Sequence, residues 1–180
     1  MSKKVLIIST SLRKSSNSEL LAEQFAKGAR EAGNEVESVC LRGKTIGFCV
    51  GCLSCLNTQK CAIRDDAGDI VEKMRGADAI CFATPVYYYE MSGQMKTLLD
   101  RANALFTTDY AFRDIYLLTA AAEAEDSASD GTIQGLGGWI SCYEKCKLAG
   151  VVRGGGANAP GEMELLTDKL TAAYEMGQNV

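Results

Sequence analysis

Histidine is absent from all 180 residues of this chain. That excludes Ser-His-Asp and Cys-His nucleophilic catalysis and removes the commonest general base. Proline is nearly absent, at two residues, and tryptophan occurs once. No apolar run is longer than a strand, and the first residues enter one directly, so neither a signal peptide nor a membrane span is expected. Strong charge of either sign is missing as well. A formal net charge of -4 makes nucleic acid and anionic membrane surfaces poor partners. Any chemistry must come from other side chains or from a cofactor.

What the chain does carry is alternation. Residues 5–9 are continuously apolar, as expected of a strand covered on both faces of a parallel sheet. Ser16 and Glu19 make a capping box, and Leu21, Phe25, Ala29 and Ala32 recur at helical spacing until Gly33-Asn34. Further strands are expected at 35–41, 79–84, 115–120 and 151–154, the third of these five stopping at Pro85. Helices are expected from Asp65 and Asp66, from Ser92, around Trp139, Ile140 and Tyr143, and over 164–176. This pattern predicts one α/β domain over 1–180. Its core would be a doubly wound, five-stranded parallel sheet with helices on both faces and ligands at the carboxyl ends of the strands.

Eight cysteines without an export signal point to a reduced, cytoplasmic protein rather than a disulfide framework. Four of them, Cys49, Cys52, Cys55 and Cys61, fall within thirteen residues, in a cysteine-rich loop over 47–65. Short C-x-x-C-x-x-C runs resemble those that wrap iron–sulfur clusters, because adjacent thiolates on tight turns reach different irons of one small cube. Zinc more often takes two separated C-x-x-C pairs or adds histidine. Free thiols on a substrate-facing loop are the main alternative, ahead of zinc, and spacing leaves the three open. Cys40 and Cys81 fall in strands, as buried packing groups. Cys142 and Cys146, four apart on the helix expected around Trp139, suit a core or a subunit interface.

The loop after the first strand reads Ser9-Thr10-Ser11-Leu12-Arg13-Lys14-Ser15-Ser16-Asn17-Ser18. Hydroxyls, backbone amides, a guanidinium and a helix start converge there, as a phosphate requires. Its candidate ligands are Ser9, Ser11, Arg13, Ser16, Asn17 and Ser18. Cations are unfavourable at the positive end of a helix dipole unless an anion joins them. No G-x-G-x-x-G follows this strand, no Walker A motif occurs, and Gly154-Gly155-Gly156 opens no nearby helix. After the third strand, Thr84-Pro85-Val86-Tyr87-Tyr88-Tyr89 places three aromatics at a strand end. Beside a phosphate loop they suggest a flat ring held by stacking.

These motifs give the chain a resemblance, over nearly its whole length, to the flavodoxin-like NAD(P)H-dependent FMN reductases and, within them, to the iron–sulfur flavoproteins. The run from Thr10 to Ser18 is similar to that family's first loop, which implies that Ser11, Arg13, Asn17 and Ser18 hold the FMN phosphate. Thr84-Pro85-Val86-Tyr87, with Leu99-Asp100-Arg101 closing the next helix, resembles its second loop. That implies that Pro85, Val86, Tyr87 and Tyr88 contact the ribityl chain and isoalloxazine. Thr119 and Ala120 stand at the third flavin loop, with alanines and Glu123 where the family commonly has glycines. The segment from Cys49 through Asp66 resembles the one that carries a four-iron cluster in iron–sulfur flavoproteins. The resemblance implies an FMN-dependent oxidoreductase passing electrons from NAD(P)H or a ferredoxin-type donor to a small acceptor, as a homodimer or homotetramer. The alternative is a flavodoxin-like electron carrier or flavin-binding protein without turnover of its own.

Overall fold

The computed structural model describes residues 2–180, and six strands lie within them: β1 (Lys4–Ser9), β2 (Glu35–Cys40), β3 (Ala79–Tyr87), β4 (Glu90–Met91), β5 (Asp114–Ala120) and β6 (Lys147–Gly154). Between and after them come α1 (Asn17–Glu31), α2 (Ser54–Thr58), α3 (Asp66–Gly76), α4 (Gly93–Arg101), α5 (Asp130–Ile140) and α6 (Thr167–Gln178). Five strands run parallel in the order β2-β1-β3-β5-β6, the flavodoxin-like winding, whose direction reverses beside β1.

Period-two alternation sorts the strand residues into two cores. Leu6, Ile8, Ile80, Phe82, Ile115 and Leu117 pack against α3, α4 and α5. Val5, Ile7, Ala79, Cys81, Tyr116 and Leu118 pack against α1 and α6. Both faces of the sheet are therefore covered, which is why these strands read as continuous apolar runs.

Two expectations need correction. The sheet has a sixth strand, because β3 runs through Pro85 to Tyr87 and β4 pairs back on it antiparallel, Val86 with Met91 and Tyr87 with Glu90. Proline is tolerated there because the pairing of β1 with β3 ends at Ser9 and Ala83, so no ladder bond on that side is required of residue 85. The helix around Trp139 also stops at Ile140, so Cys142 and Cys146 lie in the turns before β6 rather than on a helix. Four glycines in α5 leave it little propensity to continue. Cys81 is buried as expected, whereas Cys40 on the edge strand is half-buried.

The chain's last helix is clamped to its first. A Cβ on Gly28 would overlap the Tyr174 carbonyl oxygen, and one on Gly177 would overlap the Phe25 carbonyl oxygen. Backbone thus meets backbone where α6 crosses α1, the helix whose start carries the candidate phosphate loop. Gly177→Ala is expected to force the helices apart and destabilise the fold by about 1–3 kcal/mol, the usual scale of overpacking. Urea unfolding should show a lower midpoint at unchanged slope.

Candidate functional site

The carboxyl ends of β1, β3 and β5 open onto a cavity of about 510 Å³, a size suited to a small-molecule cofactor. From the first loop it is lined by Ser11, Arg13, Ser16, Asn17 and Ser18. Ser16 caps α1, its Oγ accepting from Glu19 N at 3.2 Å. Ser11 Oγ accepts from Arg13 N at 3.3 Å, and Arg13 Nη1 donates to the Asn158 carbonyl at 2.8 Å. Asn17 borders the cavity but spends its side chain on the protein. Its Nδ2 donates to the carbonyls of Ala157 and Ala159, and its Oδ1 accepts from Met163 N, which braces the α1 start against the loop after β6. Arg42 supports the loop from behind, donating to the Arg13 carbonyl at 2.8 Å while paired with Glu19.

The second loop contributes Pro85, Val86, Tyr87, Tyr88 and Tyr89. Because Tyr87 pairs with Glu90, Tyr88 and Tyr89 form a two-residue hairpin, and their φ angles are +51° and +66°. Such a turn normally takes Asn-Gly, since side chains resist positive φ. The hairpin lies on α5, where a Cβ on Gly131 would overlap the Tyr89 carbonyl and one on Gly135 would meet the Met91 methyl at 3.0 Å. A buried hydroxyl set ties the first two loops together. Ser92 Oγ lies 3.1 Å from Thr10 Oγ1 and 3.3 Å from Thr84 Oγ1, and Thr10 Oγ1 donates to the Ala83 carbonyl.

The third wall is Ala120, Ala122 and Glu123, joined by Ala157 and Asn158. Gly155 explains the glycine run: a Cβ there would sit 2.6 Å from the Glu123 carbonyl oxygen, so only glycine lets the two loops touch. Two sequence candidates fall outside the cavity. Ser9 has a buried hydroxyl without a hydrogen-bond partner and borders a separate cleft between α1 and β2. Thr119 turns inward, its Oγ1 at 2.8 Å from Ser129 Oγ. Strand alternation sends its side chain to the face opposite Ala120. Tyr89, Ala122, Glu123, Ala157 and Asn158 line the cavity and were not among the sequence candidates. The run Tyr87-Tyr88-Tyr89 signalled the first of them, Ala122 and Glu123 fall in the third loop that the resemblance marked after Thr119-Ala120, and Ala157 and Asn158 carry no local signal.

The four clustered thiols share a second, small cavity of about 30 Å³. Cys49 and Cys52 are exposed, Cys55 and Cys61 half-buried. Among the described residues no three Cys, Asp or Glu side chains converge closely enough to hold a metal ion. The loop bends tightly, with positive φ at Gly51, Leu53 and Gln59. Hydrogen bonds from the Ser54 backbone and side chain hold the Cys52 thiol below its ordinary range. Cys146 is different, since burial pushes its thiol up to about 11, as befits a packing group.

Behind the loop lies Arg101, buried to 1% exposure, in a bidentate pair with Asp65 at 2.6 and 2.9 Å. Its remaining donors reach the Gly47 carbonyl at 2.8 Å, the Ile63 carbonyl at 3.0 Å and Cys61 Sγ at 3.2 Å. Asp65 also accepts from Gly47 N and from Ala67 N, the latter capping α3. Burial pushes the Asp65 carboxyl up, but hydrogen bonds from Arg101, Gly47 and Ala67 outweigh it and hold the group below the usual carboxylate range.

The two donor sets can be matched to chemistry. Serine hydroxyls, a guanidinium and a helix start fit a phosphate, and the apolar, aromatic second loop fits a planar ring. Four sulfurs line one small cavity, two of them accepting side-chain N–H donors; this is the donor chemistry of a thiolate-bound iron–sulfur cluster, although the sulfurs do not converge on a single metal position. The winding and the cavity at its switch point define a flavodoxin-like, mononucleotide-binding class of protein. Residues 3–140 match the NADPH-dependent FMN reductase family, and the chain belongs to it.

An iron–sulfur flavoprotein of Methanosarcina thermophila is 31% identical over 141 residues, 78% of this chain and 74% of that protein. Another, of Methanocaldococcus jannaschii, is 39% identical over 102 residues, 57% of this chain, which spans about half of that relative (53%). In fold, the chain resembles an NAD(P)H:quinone oxidoreductase from Methanothermobacter marburgensis, with a TM-score of 0.76 at 21% identity, covering 99% and 97% of the two chains. An azoreductase from Bacillus anthracis str. Sterne gives 0.73 at 17% identity, with both chains fully covered.

Two outcomes are expected. Replacing Tyr88-Tyr89 by Asn-Gly should relieve backbone strain and stabilise the protein by about 1–2 kcal/mol, while weakening flavin binding through loss of the rings. Thermal melting and a flavin titration check the two effects separately. Asp65→Asn should destabilise by about 3–5 kcal/mol at neutral pH, because it leaves the Arg101 charge buried and unpaired. The native carboxyl titrates below the unfolded value of about 3.9, so the pair contributes fully above that value and fades as pH falls through the lower native one. Urea unfolding of both proteins at neutral pH and at pH values below about 4 should show the difference shrinking in acid.

Proposed function

We propose that the chain is an FMN-dependent oxidoreductase that passes electrons from NAD(P)H, or from a ferredoxin-type donor, to a small acceptor such as a flavin or quinone. A four-iron cluster held by Cys49, Cys52, Cys55 and Cys61 completes this reading. The observation that carries it is the cavity at the sheet's switch point, which joins an anion-binding helix start to an aromatic hairpin. FMN bound there would supply the hydride and one-electron chemistry, so a chain without histidine is no obstacle.

The residues have distinct tasks. Arg13 offsets phosphate charge, oriented by its bond to Asn158, while Ser11, Ser16, Ser18 and the α1 start supply neutral donors. Asn17 and Arg42 position that loop. Pro85, Val86 and Ala120 exclude water, and Tyr87, Tyr88 and Tyr89 supply stacking surface. Phe48, Val50, Leu53 and Tyr88 are all more than half exposed, which supports a homo-oligomer that covers them. Eight free cysteines support a cytoplasmic, reducing setting. No helix among the described residues is long and apolar enough to cross a membrane.

Arg13→Ala is expected to weaken FMN binding by about 1.5–3 kcal/mol, the scale of a hydrogen bond to a charged group. Quenching of flavin fluorescence measures it, and unchanged affinity would overturn the phosphate-loop assignment. Oxidation of NAD(P)H with a quinone or free flavin as acceptor tests turnover. Tight FMN binding without turnover would leave the electron-carrier alternative.

A further inference from the structure

We propose that Arg101 and Asn103 are positioning residues of the thiol site: they fix Cys55 and Cys61 from outside the loop and set the reduction potential of the cluster held there. The inference rests on the cluster reading above and deepens it. Arg101 Nε donates to Cys61 Sγ at 3.2 Å, and Asn103 Nδ2 donates to Cys55 Sγ at 3.2 Å. Both donors come from one rigid element, the end of α4 and the 3₁₀ turn Ala102–Leu105 that follows it. Arg101 cannot swing away, because its other N–H groups are held by Asp65, Gly47 and Ile63 in a buried position.

The other two thiols are held differently. Cys49 and Cys52 are exposed, and the groups that hydrogen-bond Cys52 belong to the loop itself. The site therefore has a fixed half, Cys55 and Cys61, and a half set only by the loop's own path. Negative charge on the sulfurs grows when a thiolate-bound cluster gains an electron, and N–H donors stabilise that charge. They favour the reduced form and raise the potential. Reduction adds one electron from an external reductant and makes or breaks no bond to these residues.

The test uses full-length protein reconstituted anaerobically with iron and sulfide. Iron and sulfide are assayed, and the midpoint potential is measured by dithionite titration followed by absorbance and electron paramagnetic resonance. Asn103→Leu keeps the branched side-chain shape and removes the donor. It should retain wild-type iron content while the reduction equilibrium constant falls roughly tenfold, about 59 mV for one electron. Arg101→Lys, which keeps the charge but loses Nε–H, should move the potential in the same direction. If that variant does not fold, Asn103→Leu decides alone. A full cluster at wild-type potential in Asn103→Leu overturns the proposal and leaves the cluster reading standing. Iron loss in Asn103→Leu as complete as in Cys55→Ser also overturns it, since Asn103 would then be a structural prop. Wild-type protein that takes up no iron retires the cluster reading and this proposal with it, leaving the FMN assignment untouched.

Discussion

The ion pair of Arg101 with Asp65 is the constraint on which the thiol half of the molecule depends. A buried guanidinium is tolerable only when its donors are met, and here Asp65, Gly47, Ile63 and Cys61 meet all five. Gly47 and Ile63 flank the thiol run, so one side chain closes the loop at both ends. Asp65 does triple duty as ion-pair partner, cap of α3 and acceptor from Gly47 N. Its neighbour Asp66 holds Thr45 N at 2.7 Å and Lys44 at 3.1 Å, extending the anchor outward. A loop with positive φ at Gly51, Leu53 and Gln59 and few large side chains to bury has no core of its own to hold it. Its path is imposed from behind. Isosteric apolar replacements of buried pairs are often neutral for stability, so the pair's contribution here is better understood as fixing one path for the loop.

Helix α4 connects this anchor to the candidate flavin cavity. Its N-cap, Ser92, belongs to the hydroxyl set that joins the first and second loops, and its last residue is Arg101. Nine residues of α-helix span roughly 14 Å, so the two candidate centres are set at opposite ends of one short rod that buries one face on the sheet. Met95, Leu98 and Leu99 pin that rod to the sheet. A shift at either end must move the other or break the packing between them.

What was legible in the sequence follows from the range over which each signal acts. Capping of α1 by Ser16, the continuous apolar runs of the central strands, and the aromatic strand end are local patterns and appear where the residues put them. The Asp65-Asp66 and Leu99-Asp100-Arg101 motifs were visible too, but nothing local links Asp65 to Arg101, 36 residues apart. Ala157 and Asn158 reach the cavity, and Arg42 the back of its first loop, through tertiary contacts that leave no periodic trace. Asn17 sits where the motif placed it, yet its bonds brace the backbone, a role that spacing cannot distinguish from ligand binding. The overlong helix around Trp139 came from apolar spacing at Trp139, Ile140 and Tyr143. These side chains do pack in one core, but Tyr143 reaches it from a turn, set edge-on to Tyr110 and Phe112 and tilted against Trp139.

The strain at Tyr88 and Tyr89 ties fold to function at the other end of the rod. Positive φ at two bulky residues is unfavourable, and a two-residue strand such as β4 contributes little to offset it. The hairpin persists because Gly131 and Gly135 let it sit directly on α5, so packing against a glycine-bearing face compensates for a turn built from the wrong residues. Together with Gly137 and Gly138 these glycines leave α5 little helix propensity, and it ends at Ile140, before Cys142. Presenting three tyrosines at the cavity mouth thus accounts for a strained turn and for glycines on the face of α5 beneath it, while the hydroxyl set keeps the first and second loops in register with α4 and, through it, with the thiol anchor.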